Sequence, residues 1–111
     1  MSTFTAQVKH REGVSAIHLA GYLSAEAADV VEEALQQVAD AGKVLLVFQE
    51  EGHINSAGLV MLFDLIMPLL SQGKKVRIAH PAKHFRRVLH IMGLSKYVEV
   101  FETEEQAIAG W

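Results

Sequence analysis

The sequence contains no cysteine, and this absence excludes disulfides, thiolate nucleophiles and the usual structural zinc sites together. It also lacks the pattern of a signal peptide, because no basic stretch followed by an apolar run stands at the N-terminus. No linker, internal repeat or low-complexity segment interrupts the 111 residues. We therefore predict one cytoplasmic domain spanning residues 1–111.

No apolar run is long enough to cross a membrane. The longest, from Leu59 to Leu70, has about 12 residues against the roughly 20 that a spanning helix needs, and it contains Asp64 and Pro68. Positive charge is scarce as well, since 10 basic and 13 acidic residues give a net charge of -3. We therefore expect neither a membrane nor a nucleic acid as a partner.

Hydrophobic periodicity divides the first half of the chain into two strands, a helix and a third strand. Alternation over residues 4–8 and again over residues 14–20 predicts an antiparallel hairpin. Apolar residues at helical spacing follow Ser24, which we assign as the helix cap, and Gly42 ends that helix. The continuous apolar run over residues 44–48 predicts a central strand, covered on both faces and parallel to the preceding strand.

The second half continues the alternation of helices and strands. Asn55 is a preferred N-cap type, so a second helix is predicted from Ser56 to about Ser71. A strand around residues 76–78, a helix over residues 81–93, a strand over residues 97–101 and a terminal helix follow. The order predicts an α/β fold in which a mixed, mostly parallel sheet of about five strands packs with about four helices.

The second predicted helix is apolar around most of its circumference. A helix of this kind is either fully buried or offers one face to another protein, and methionine adapts well to such surfaces. The sequence leaves both interpretations open. The apolar positions are Val60, Met61, Leu62, Phe63, Leu65, Ile66, Met67, Leu69 and Leu70.

Several blocks of sequence occur together at characteristic spacing. Gly21–Ser24 precedes the first helix, and Leu45–Phe48 is followed by the loop Ile54–Leu59. Arg86–Leu89 and Met92–Leu94 then precede the last strand and an acidic final helix. In these blocks the chain resembles the STAS family, of the anti-sigma factor antagonist type, over nearly its whole length.

The resemblance implies a partner-switching regulator that has no catalytic activity and no cofactor. A protein of this kind binds an ATP-dependent serine kinase of the anti-sigma factor type, which phosphorylates the motif serine and thereby ends the binding. A metal-dependent serine phosphatase restores it. Carried onto this chain, the phosphorylated residue is Ser56. The expected partner-binding and switch residues are Ser24, His53, Asn55, Ser56, Ala57, Gly58 and Met61.

Two positions depart from the family pattern. Asn55 stands where an aspartate is usual, so the loop keeps a capping side chain but loses one negative charge. Ser24 likewise replaces a common acidic residue. The alternative interpretation is therefore a non-switching STAS scaffold, or a regulatory subunit, in which Ser56 is only the residue that starts a helix.

Other chemistry is weakly supported by the residues. A serine hydrolase would need Gly-x-Ser-x-Gly on a strand-to-helix turn, and Ile54 stands where the first glycine belongs. His80, His84 and His90 lie in one segment, but their spacing does not suit a metal site and we assign none. The basic residues of the third helix are typical of a solvated helix face.

Overall fold

The computed structural model describes residues 4–49, 53–79, 83–91 and 93–111, and for residues 53, 83 and 84 it describes the backbone only. The chain starts with strand β1 (Thr5–Arg11), which pairs antiparallel with β2 (Val14–Ala20). Glu12 and Gly13 form the two-residue turn with φ of 51° and 81°, which is the backbone that a tight hairpin of this twist requires. The predicted hairpin is confirmed.

The later elements alternate between strands and helices. Two 3-10 turns, Ala25–Ala27 and Leu94–Lys96, precede α1 and β7 respectively. In chain order the elements are β3 (Tyr22–Leu23), α1 (Ala28–Gln37), β4 (Lys43–Val47), β5 (His53–Ile54), α2 (Ser56–Ser71), β6 (Lys75–Ala79), α3 (Lys83–Ile91), β7 (Glu99–Phe101) and α4 (Glu104–Ala109).

Five strands form the main sheet in the order β1-β2-β4-β6-β7. All pairs after the first hairpin are parallel, so the sheet is mixed and mostly parallel, as predicted. Strands β3 and β5 form a separate two-stranded parallel sheet. Within the described residues, no helix is both long enough and apolar enough to span a membrane.

The sheet is buried on both faces. On the first face Ile17, Leu46 and Ile78 pack against helices α1, α2 and α3. On the second face Leu45 and Val47 pack against Ala107 and Ile108 of α4. Successive residues of β4 therefore enter opposite cores, which confirms that β4 is a central strand covered on both sides.

Several predicted boundaries and one cap were wrong. The first helix begins at Ala28 rather than after Ser24, because a 3-10 turn occupies Ala25–Ala27, and the Ser24 side chain makes no capping hydrogen bond. That helix ends at Gln37 and a turn follows, so Gly42 does not end it. Strand β7 begins at Glu99 rather than Tyr97, because the N–H groups of Tyr97 and Val98 donate to the Leu94 carbonyl of the preceding 3-10 turn. The predicted start of the third helix, at residue 81, lies outside the described residues, and Gly93, which was predicted to end it, has a left-handed φ of 79° after the last described helical residue, Ile91.

Candidate functional site

Helix α2 starts as the sequence predicted. Asn55 has an extended backbone, with φ -102° and ψ 174°, and its side-chain Oδ1 accepts a hydrogen bond of 2.7 Å from the N–H of Gly58. The Asn55 carbonyl accepts from the N–H of Leu59 at 3.0 Å. The predicted N-cap is confirmed, and Ser56 is the first residue of the helix.

A contact that the sequence did not reveal holds this helix start in place. Strand β3 pairs with β5, so that Leu23 lies opposite Ile54, and the Leu23 carbonyl accepts from the N–H of Asn55 at 3.1 Å. A Cβ atom at Gly58 would lie 2.1 Å from the same carbonyl oxygen. Only a residue without a Cβ atom therefore lets the first turn of α2 approach the end of β3 so closely.

Ser24 belongs to the same cluster through its backbone. It precedes the 3-10 turn, and its carbonyl accepts from the N–H of Ala27 at 3.0 Å. Its Cα atom lies 3.0 Å from the position of a Cβ atom at Gly58. The structure thus brings Ser24 and the Asn55–Gly58 segment together, although they are distant in sequence.

The predicted site residues differ in exposure. Ser56 and Ala57 are exposed, whereas Asn55 is half-buried and Gly58 is buried. Met61 is half-buried and packs against the core of the first face. His53 contributes its backbone to β5, and its side chain lies outside the described part of the chain.

Two further exposed residues lie on the elements that form the site, although the sequence did not assign them to it. Val60 is 50% exposed and follows Ser56 by four residues, so both lie on one side of α2. Tyr22 is 41% exposed and pairs with His53 in the small sheet. Periodicity indicated that α2 was apolar all round, but only the fold shows which apolar side chains stay accessible.

The N-terminus of α2 favours negative charge near Ser56, and the described residues place no general base on its hydroxyl. The first N–H groups of a helix have no partner within the helix and carry the positive end of its dipole, and the first turn of α2 contains no acidic residue. No described residue makes a hydrogen bond with the Ser56 hydroxyl, so no base within that part of the chain activates it. The described residues contain no group of three or more histidine and acidic side chains that could hold a metal ion.

Comparison with known proteins agrees with this geometry. A family model for the STAS domain matches residues 5–107. A Thermotoga maritima protein assigned as an anti-sigma factor antagonist has a TM-score of 0.76 at 20% sequence identity, over 95% of this chain and 92% of that chain. No curated protein matches the sequence at a significant level.

Two other solved structures are similar over nearly their whole length. An anti-sigma factor antagonist from Mycobacterium paratuberculosis has a TM-score of 0.72 at 26% identity, over 97% of this chain and 93% of that chain. The Bacillus cell fate determinant SpoIIAA, in its phosphorylated form, has a TM-score of 0.67 at 20% identity, over 96% of this chain and 98% of that chain. The five-stranded sheet and its helices are thus a fold shared with these proteins.

Proposed function

The chain belongs to the STAS domain family, and from that premise we propose that it is a partner-switching regulator controlled by phosphorylation of Ser56. In the unphosphorylated state it binds a serine kinase of the anti-sigma factor type. In the phosphorylated state that binding is lost. We propose that residues 1–111 are one STAS domain that acts in the cytoplasm through binding rather than catalysis.

The observation that carries the proposal is the position of Ser56. Its side chain is exposed at the first residue of a helix that is anchored by Asn55 and by the close approach of Gly58 to Leu23. A kinase can reach an exposed hydroxyl without unfolding the domain. Two of the similar solved structures are the phosphorylated and unphosphorylated forms of SpoIIAA, and both share this fold.

The proposed switch consists of two reactions, phosphorylation of Ser56 by the kinase and hydrolysis of the phosphate ester by the phosphatase. The kinase transfers the γ-phosphoryl group of ATP to the Oγ atom of Ser56, which releases ADP and the hydroxyl proton. A metal-dependent serine phosphatase then hydrolyses the phosphate ester, which returns the serine and inorganic phosphate. Neither reaction needs a catalytic group or a cofactor from this chain.

Phosphorylation acts on the interface in this proposal rather than on the fold. The phosphate adds a charge of about -1.5 to -2, and the N-terminus of α2 tolerates an anion because of its free N–H groups and dipole. Val60, which is 50% exposed, lies one turn after Ser56 on α2, and the 41% exposed Tyr22 lies on β3, whose partner strand β5 leads into α2. A partner that covers these apolar groups must also desolvate the phosphate, and each 1.4 kcal/mol of that cost weakens binding about tenfold.

Affinity capture with four baits tests this function. Wild type, Ser56→Ala, Ser56→Asp and Ser71→Asp are used to capture proteins from native lysate, and the captured fraction is assayed for transfer of labelled phosphate from ATP to each bait. Ser71→Asp is the matched control, because it places the same charge at the exposed far end of the same helix. We expect wild type, Ser56→Ala and Ser71→Asp to capture a kinase that Ser56→Asp does not.

The labelling pattern identifies the modified residue. We expect the captured kinase to label wild type and Ser71→Asp but not Ser56→Ala, and intact-mass analysis of the endogenous protein to show one phosphoryl group. If all four baits capture the same proteins and no condition yields the phosphorylated form, the switch is excluded.

A non-switching scaffold is the second candidate, and Asn55 is the observation that favours it. The neutral Asn55 side chain satisfies the Gly58 N–H at 2.7 Å and carries no charge of its own. The start of α2 is therefore explained without a modification. Capture of one stable set of partners by both Ser56→Ala and Ser56→Asp would favour this function over the switch.

A further inference from the structure

A cavity lies between helix α3 and the edge strand β7, and no residue of α2 is among its described lining residues. Its volume is about 540 Å³, and its described lining residues are Arg86, Arg87, His90, Ser95 and Val100. Arg86 and Arg87 precede His90 by four and three residues, so the three side chains project from one side of the helix. The volume is within the range of pockets that bind small molecules.

Among the described residues, the positively charged side chains around this cavity make few contacts with the rest of the fold. Helix α3 contains no acidic residue. Arg86 lies 3.5 Å from Glu102, but both side chains are largely exposed, so the pair contributes little. Arg87 has no hydrogen bond or ion pair with any described residue. His90 Nδ1 lies 3.5 Å from Ser95 Oγ, at the outer limit of a hydrogen bond.

A second cationic cavity, at the N-terminal ends of β4 and β6, shows the opposite arrangement. It measures about 370 Å³ and is lined by Lys43, Lys74 and Arg77 among others. There Lys43 donates to the Trp111 carbonyl at 3.2 Å, and Lys74 donates to the carbonyls of Ala39 and Ala41. Most of its cationic side chains therefore donate to backbone carbonyls of helix ends and loops. The donors at the α3–β7 cavity make fewer such contacts with described residues and can donate to a ligand.

We propose that the α3–β7 cavity binds a small molecule that carries phosphate. Guanidinium groups present planar N–H donors that match phosphate oxygens, and a charged hydrogen bond of this type is stronger than a neutral one. Arg87 supplies the principal donor, with Arg86 and His90 beside it. Ser95 adds a hydroxyl and Val100 an apolar contact for the rest of the ligand. The site does not depend on Ser56 or on the proposed switch.

Titration with defined phosphates tests the site. Isotope-labelled wild-type protein is titrated with inorganic phosphate, pyrophosphate and ribose 5-phosphate at constant ionic strength, and amide shifts are followed by NMR. We expect saturable shifts at His90, Ser95 and Val100, with a dissociation constant of about 1 mM or below for at least one of them. Comparing the three probes shows whether the charge of the phosphate or its organic part determines affinity.

Arg87→Gln and Lys9→Gln form the matched pair of variants. Each removes one exposed positive charge, but Lys9 lies on the opposite edge strand β1, and glutamine suits a helix about as well as arginine. We expect Arg87→Gln to weaken binding about tenfold and Lys9→Gln to change it less than about twofold. Shifts that do not saturate, or equal losses in both variants, would overturn the proposal. So would binding of a phosphopeptide or an RNA where none of the three small phosphates binds.

Discussion

The two faces of the five-stranded sheet are covered in different ways. Helices α1, α2 and α3 cover the first face, and their contacts with it are apolar, with Val31, Leu62 and Ile66 completely buried. Helix α4 covers the second face with only Ala107 and Ile108 in its core. Charged groups around α4 complete that second layer.

Two clusters of polar contacts hold α4 against the sheet. Glu104 accepts from Arg11 at 2.6 Å and lies 2.8 Å from His18 Nε2. At the other end of the helix, Arg77 donates to the carbonyls of Ala107 and Gly110, at 2.8 and 3.1 Å. Its guanidinium also lies over the rings of Phe101 and Trp111, 5.1 and 4.7 Å from their centroids. Charge compensates on this face for the small apolar area that a six-residue helix can bury.

The difference bears on where a regulatory charge is tolerated. Ser56 begins the helix whose buried side chains belong to the apolar first core, so a new charge at its exposed end disturbs no ion pair among the described residues. A charge change on the second face breaks a contact that supports α4. On the first face, the free energy of unfolding should therefore be most sensitive to the size of a substituted side chain. On the second face, it should be most sensitive to charge and pH.

The largest effect is expected from Gly58→Ala on the first face. In most helices this substitution stabilises by up to about 1 kcal/mol, but here the new Cβ would lie 2.1 Å from the Leu23 carbonyl oxygen. Since a backbone atom blocks it, we expect the free energy of unfolding to fall by about 3 kcal/mol in urea denaturation. Gly42→Ala is the control, because a Cβ there meets nothing within 4 Å. Equal effects in the two variants would refute the close approach.

Arg77→Lys tests the second face at the C-terminal end of α4. Lysine keeps the charge but loses the forked donors and the planar group that lies over the two rings. We expect a loss of about 1 to 2 kcal/mol in the free energy of unfolding. Arg87→Lys, at a position without such contacts, should stay within about 0.5 kcal/mol of wild type. A loss no greater than that of the control would show that Arg77 acts only through its charge.

Glu104→Gln tests the other end of α4 and its dependence on pH. Burial raises the pKa of Glu104, but hydrogen bonds and charges from His18 and Arg11 outweigh it and hold the pKa below its ordinary value of 4.5. Its stabilisation is therefore present above that value and is lost as the pH falls through the lower folded-state pKa.

We expect Glu104→Gln to lower the free energy of unfolding by about 1 kcal/mol near neutral pH. The difference from wild type should narrow as the pH falls from about 5 to about 3. Denaturation over this range, with the exposed neighbour Glu105→Gln as control, measures it. A difference that stays constant down to the lowest pH would contradict the assigned role of the carboxylate.

The smallest effect is expected from Ser56→Asp. The residue is exposed at the first position of α2, where the helix dipole favours negative charge. We expect melting and circular dichroism close to wild type, with a change of at most about 0.5 kcal/mol. Extensive unfolding of this variant would show that the N-terminus of α2 does not tolerate the charge, and would remove the basis for a switch without unfolding.

Local signals in the sequence were sufficient for much of the fold and for the start of α2. Asn55 was correctly assigned as the N-cap and Ser56 as the first helical residue, because a helix cap is satisfied within four residues. The pairing of β3 with β5 was missed because two-residue strands carry no periodicity. Ser24 was assigned a capping bond that it does not make, since serine also commonly precedes turns. The basic character of α3 was evident, but not the cavity that it forms with β7.

By itself the sequence determined the order of the main strands and helices, the family and a serine at a helix start, because each depends on neighbours along the chain. Only the tertiary structure decided why Gly58 cannot carry a side chain, which apolar residues of α2 remain exposed, and how Arg77 and Glu104 hold α4. These features depend on contacts between residues far apart in sequence, such as Leu23 with Gly58 and Arg11 with Glu104. Composition and periodicity carry no information about such pairs until the sheet is assembled.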